Sequence, residues 1–148
     1  MVPVDLFRKY LDAADVSDAT IKEVARLARE LRFEAGGIIF REDQASDHLY
    51  IVTSGQVDVQ YLLPSGKRQT VDTLAPGDFL VWSAVVKPYT TDAIGICRAK
   101  STVVAVEAEG LRALCEKDTL FGYRLTSQLA RVIRRRLQAA RRQIADLG

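Results

Sequence analysis

DHLYIVTSGQVDVQYLLPSGKRQTVDTLAPGDF, Asp47 to Phe79, decides the fold. Leu49 to Gly55 is an apolar run that stops at a turn. Gln56 to Leu62 then alternates, with Val57, Val59 and Tyr61 set against polar neighbours. That period of two marks a half-buried strand. Pro64 to Lys67 is a hairpin turn, Arg68 to Leu74 returns, and Pro76 to Asp78 turns again. Short strands separated by frequent turns predict an antiparallel roll or sandwich.

Outward from this stretch the pattern holds and then changes. Ile38 to Phe40 is apolar, and Cys97 to Glu107 closes the β region. On the N-terminal side, Leu6 to Ala13 suits a short helix. A second helix, capped by Asp15 or Ser17, carries Ile21, Val24, Ala25, Leu27, Ala28 and Leu31 at helical spacing. Gly36-Gly37 stops it. On the C-terminal side, Gly110 to Asp118 reads as a short helix and Leu120 to Leu147 as one long helix. The expected architecture is α+β: an antiparallel, jelly-roll-like β-roll with N-terminal helices and a long C-terminal helix. One domain is expected over 1–148, with helices in 1–35, the roll in 36–107 and helices in 108–148.

Composition narrows the class. At 148 residues the chain is long enough for one real core. Cys97 and Cys115 form no CxxC pattern, so a disulfide framework is not expected and a reducing cytoplasm fits. The N-terminus, MVPVDLFRKYLDAAD, has no signal-like apolar core, and no window approaches the length of a membrane span. A metal site would have one histidine to draw on, His48, expected in an exposed turn. Neither cysteine has a nearby histidine to activate it, and no phosphate-binding glycine motif occurs. No catalytic constellation and no metal site are expected.

The layout resembles the cyclic-nucleotide-binding domain family, which includes the sensor half of catabolite-activator-type transcription factors. FEAGGIIFRED (Phe33 to Asp43), DHLYIVTSGQVDV (Asp47 to Val59), LAPGDF (Leu74 to Phe79), RAKSTVVAVE (Arg98 to Glu107) and RRRLQ (Arg134 to Gln138) carry the likeness. The resemblance implies a phosphate-binding cassette after the Gly77-Asp78 turn, within 77–96. Its short helix would turn its amides to a cyclic phosphate. A Glu would bind the ribose, and an Arg would pair with the phosphate.

This sequence departs at each of those points. Counted from the turn, the family's helix-opening Gly falls on Val81 and its Glu on Trp82. Counted back from Arg98, its Arg falls on Ala93 and the following small residue on Ile94. Between Val81 and Ile96 the only cation is Lys87 and the only carboxylate is Asp92. On the long helix, the base-contacting Thr and Ser fall on Ala140 and Arg141. Losing a buried Arg–phosphate pair costs on the order of 2–5 kcal/mol. No cofactor is therefore assigned; a cyclic nucleotide would need contacts other than the usual Glu and Arg. Three readings stand. A noncanonical small molecule lies among Val81, Trp82, Ser83, Lys87, Tyr89, Thr90, Ala93 and Ile94. Or Trp82 and its neighbours fill the pocket and the protein is a ligand-free interaction scaffold. Or cyclic AMP or cyclic GMP binds through modified contacts.

The long helix carries two further expectations. Leu129, Ile133, Leu137, Ala140 and Ile144 lie at spacings of three and four, and the resemblance implies that this helix pairs two subunits. A parallel homodimer is expected. Arg131, Arg134, Arg135, Arg136, Arg141 and Arg142 make the helix basic, with no acid between Thr119 and Ala145. Such a stripe attracts nucleic acid, anionic lipid or an acidic partner, or is a solvated face. The family's winged helix-turn-helix would begin where these residues end, so sequence-specific DNA binding is not expected of them without an added domain. The overall expectation is a non-enzymatic regulatory sensor, with a small-molecule ligand or a protein partner.

Overall fold

The computed structural model describes residues 2–147. Two short helices open the chain, α1 (Val4–Tyr10) and α2 (Asp18–Arg26). Ser17 caps α2, its hydroxyl accepting from the amide of Thr20 at 3.3 Å. The apolar face of α2, Ile21, Val24 and Ala25, is buried.

The helical pattern expected through Leu31 ends at Arg26. Ala28–Phe33 is instead a strand, β1. Ala28 and Leu31 fit helical spacing and only Leu31 and Phe33 alternate, so tertiary pairing selects the strand over the local pattern. Ala28 to Phe33 pair antiparallel with Val106 to Ser101. The next strands are β2 (Ile38–Phe40), β3 (His48–Ser54), β4 (Val57–Leu62), β5 (Arg68–Leu74), β6 (Phe79–Leu80), β7 (Ile94–Cys97) and β8 (Ser101–Glu107). They form two antiparallel four-stranded sheets, ordered β1-β8-β3-β6 and β2-β7-β4-β5. The expected roll is thus observed.

Strand β8 is central to its sheet, so Val103, Val104, Ala105 and Val106 are all buried. Across the roll, Leu49, Ile51, Val57, Val59, Leu74 and Leu80 complete the core. Gly55 makes the tight link from β3 to β4. It adopts φ +86°, and a Cβ there would meet Ser101 and the carbonyl of Lys100. Both facts require glycine. His48 is not in an exposed turn: it begins β3, half-buried beside Tyr50. Burial, then the Arg29 charge, lowers its pKa below the ordinary value.

Two helices follow the roll, α3 (Ala108–Lys117) and α4 (Thr119–Leu147). Asp118 is the joint. Its Oδ1 accepts from the amide of Phe121 at 3.1 Å, and its Oδ2 accepts from the hydroxyl of Thr20 at 2.6 Å. The Thr20 hydroxyl, then the Phe121 amide, holds the carboxyl below its ordinary range. The first half of α4 buries Phe121, Leu125 and Leu129 against the core. No helix among the described residues is long and apolar enough to cross a membrane.

Candidate functional site

The segment after β6 is built on a strained residue. Val81 has φ 64° and ψ 55°, the left-handed region, where the family resemblance expects glycine. A β-branched residue is rare there. A single 3-10 turn, Trp82–Ala84, follows. The chain then loops back to β7.

This loop is tied down on two sides. Toward the β2–β3 connection, the Ser46 and Ser83 hydroxyls lie 2.6 Å apart, both buried. The Ser46 amide donates to Tyr89 O at 2.8 Å, and Thr91 N donates to Gln44 O at 2.8 Å. Toward α3, Arg112 donates to Ala84 O at 2.7 Å, and its guanidinium lies 4.2 Å from the Tyr89 ring centroid. Tyr89 is therefore a stacking partner, but for a protein cation.

Two crevices meet at this loop. The first, between the roll and the loop, is lined by Phe40, Val81, Trp82, Ser83, Thr91, Asp92, Ala93 and Arg136, and holds only about 10 Å³. That is room for about one water molecule. The second, between the loop and α4, is lined by Tyr61, Trp82, Ile133, Arg136, Leu137 and Ala140, and holds about 200 Å³. Trp82 and Arg136 wall both. Tyr61 has its phenol pKa raised, first by burial, then by Asp92, with Arg136 opposing.

Arg136 is the unusual member. It is only 8% exposed, and its Nε and Nη2 have no hydrogen-bond partner among the described residues. Asp92 lines the same first crevice but makes no ion pair with it among the described residues. An uncompensated buried charge costs about 3–5 kcal/mol.

Of the residues expected at the site, Val81, Trp82, Ser83 and Ala93 come together at the first crevice. Lys87 and Thr90 are exposed, Tyr89 is engaged by Arg112, and Ile94 is buried in β7, so these four line neither crevice. The run of arginines in the sequence does not set Arg136 apart from its neighbours. A signal was present: Leu125, Leu129, Val132 and Arg136 follow spacings of four, three and four, one face of α4. Phe40 came to the site from β2, a contact that no local pattern announces.

The helix stripe divides. Leu129 is buried within its own chain and is not free for a seam between subunits. Ile133 and Ala140 are half-buried, whereas Leu137 is 54% and Ile144 69% exposed. The basic stripe divides too. Arg131 pairs with Asp12 at 2.9 Å, and Arg135 with Asp72 at 3.2 Å and Asp78 at 3.3 Å. With Arg124–Asp15 at 2.7 Å, these pairs fasten α4 to the N-terminal segment and the roll. Arg134, Arg141 and Arg142 are exposed and make no ion pair among the described residues.

Comparison with known proteins agrees with this geometry. The family described as cyclic nucleotide-binding domain matches residues 30–118. A "CRP-like cAMP-activated global transcriptional regulator" of Mycobacterium tuberculosis is 25% identical over 128 residues, 84% of this chain and 55% of that protein. The nitrogen fixation regulation protein FixK of Bradyrhizobium diazoefficiens is 35% identical over 86 residues, 57% of this chain and 34% of its own. The chain thus spans about half the length of the first relative and about a third of the second. Among solved structures, a cyclic nucleotide-binding protein of Geobacter metallireducens superposes with a TM-score of 0.81 and 26% identity, covering 93% of this chain and 99% of that one. The catabolite activator protein of Thermus thermophilus shares the fold, with a TM-score of 0.71 and 21% identity over 91% of this chain and 62% of that one. The roll, the loop after the Gly-Asp turn and the long helix behind it place this chain in the cyclic nucleotide-binding domain family.

Proposed function

We propose that this protein is a non-enzymatic regulatory sensor whose ligand is a small molecule other than a cyclic nucleotide held in the usual way. The observation that carries this reading is that Trp82 and Arg136 wall both crevices. A ligand there touches the loop and α4 together. Its binding then favours one position of the helix over another, which is what a sensor of this architecture requires.

The absence of the usual partners supports the second half of the reading. Val81, Trp82 and Ala93 stand where the resemblance expects Gly, Glu and Arg, and about 10 Å³ remains beneath them. The exposed Leu137 and Ile144 support pairing of two copies through the second half of α4. Two free thiols support a reducing, cytoplasmic setting, and burial pushes the Cys115 thiol up to about 11, which keeps it unreactive.

The narrow first crevice favours one competing reading, a ligand-free scaffold plugged by Trp82. Titrating Trp82→Gly and the parent protein with cyclic AMP and with benzoate separates the two. Loss of binding in the variant supports Trp82 as a ligand contact. New affinity that appears only in the variant makes it a plug and overturns the sensor reading.

A further inference from the structure

We infer that Arg136 is the recognition residue of an anion site, and that the ligand is a small organic anion with an apolar body. This rests on reading the two crevices as the ligand site. Three observations carry it. Arg136 is buried, and the two nitrogens left without partners are Nε and Nη2. These lie on one edge of the guanidinium and present two parallel N–H donors, the fork that a carboxylate or phosphate accepts. The second crevice, about 200 Å³, is lined by Arg136 together with Ile133, Leu137, Ala140, Tyr61 and Trp82. Those walls suit an apolar or aromatic body and are too small for a large ligand.

No carboxylate makes an ion pair with Arg136 among the described residues. Asp92 lines the first crevice with Arg136 but is itself exposed. A second copy paired in parallel along α4 brings no acid either, since none lies between Thr119 and Ala145. The arginine that the loop lacks is thus delivered from the helix. An anion seated on it would tie α4 directly to Trp82.

The test uses the intact protein with benzoate, hexanoate and phenyl phosphate, and with benzamide and hexanamide as neutral counterparts. Binding is read by Trp82 fluorescence and by the unfolding midpoint. At least one anion is expected to bind saturably and raise the midpoint, with its neutral counterpart inert. Carboxylate against phosphate response identifies which oxyanion fits. Arg136→Met is expected to weaken binding on the order of 10- to 100-fold, and to unfold at a higher temperature than the parent without ligand. Arg136→Lys keeps the charge but not the fork and is expected to fall between. Asp92→Asn, which removes the competing carboxylate, is expected to tighten binding. Arg142→Gln, one face away, is expected to change nothing. Equal binding of anion and amide, or unchanged affinity in Arg136→Met, overturns the inference but leaves the crevices a ligand site. Failure of all three anions to bind the parent protein overturns the inference outright. If benzamide or hexanamide binds where the anions do not, the crevices remain a ligand site and only the anion reading fails; if none of the five binds, both readings fail.

Discussion

At Asp118 a single carboxylate both starts α4 and holds α2 in place, through the Phe121 amide and the Thr20 hydroxyl. Asp118→Ala removes the cap and is expected to cost about 1 kcal/mol in urea unfolding at neutral pH. The pH dependence has a definite sign. The native pKa is lowered from 3.8, so this stabilisation is complete above that value. It is lost as pH falls from 3.8 through the native pKa. The gap between parent and variant should therefore narrow at pH 3; a gap that widens there would contradict the assignment. The residues that face the site divide by how local their signal is. Val81, Trp82 and Ala93 were placed by counting from the Gly77-Asp78 turn and from Arg98, and the crevice holds all three. Arg136 sits in a run of three arginines that composition cannot tell apart. Only its angle on the helix relative to the roll buries it, and that angle is a tertiary fact.

Among the elements, α4 joins two different surfaces end to end. Leu129 is 1% exposed and Leu137 54%, although both lie on the same apolar pattern. Leu129→Ala should leave a cavity in the core and cost about 2–5 kcal/mol of folding stability. Leu137→Ala should leave stability within about 0.5 kcal/mol. If two copies pair through this half of α4 as proposed, the substitution is expected to raise the dimer dissociation constant in sedimentation. If the two substitutions destabilised the fold equally, the division of the helix would be wrong. The strands between Asp47 and Phe79 were legible because each has one buried face and a turn at each end. Strand β1 was not, because Ala28 and Leu31, three residues apart, fit helical spacing, and only pairing with β8 selects the strand. Strand β6, two residues long, exists only through Tyr50 and Ile51 of β3.

As a whole, the molecule keeps the family's roll and helix while replacing the chemistry at their junction. Ion pairs at Arg124 and Arg131 fasten α4 to the N-terminal segment, and those at Arg135 fasten it to the roll. Each exposed pair contributes little alone, about 0–1 kcal/mol, and less as salt rises. The hold on the helix therefore rests chiefly on Phe121, Leu125 and Leu129, which the core buries. Thermal unfolding followed by Trp82, the only tryptophan, tests the central claim most directly. A ligand that binds the folded state must raise the midpoint. In millimolar cyclic AMP or cyclic GMP the midpoint is predicted to stay where it is without nucleotide. A saturable rise with either nucleotide would contradict the account, because Val81, Trp82 and Ala93 would then hold a nucleotide without the Glu and the Arg.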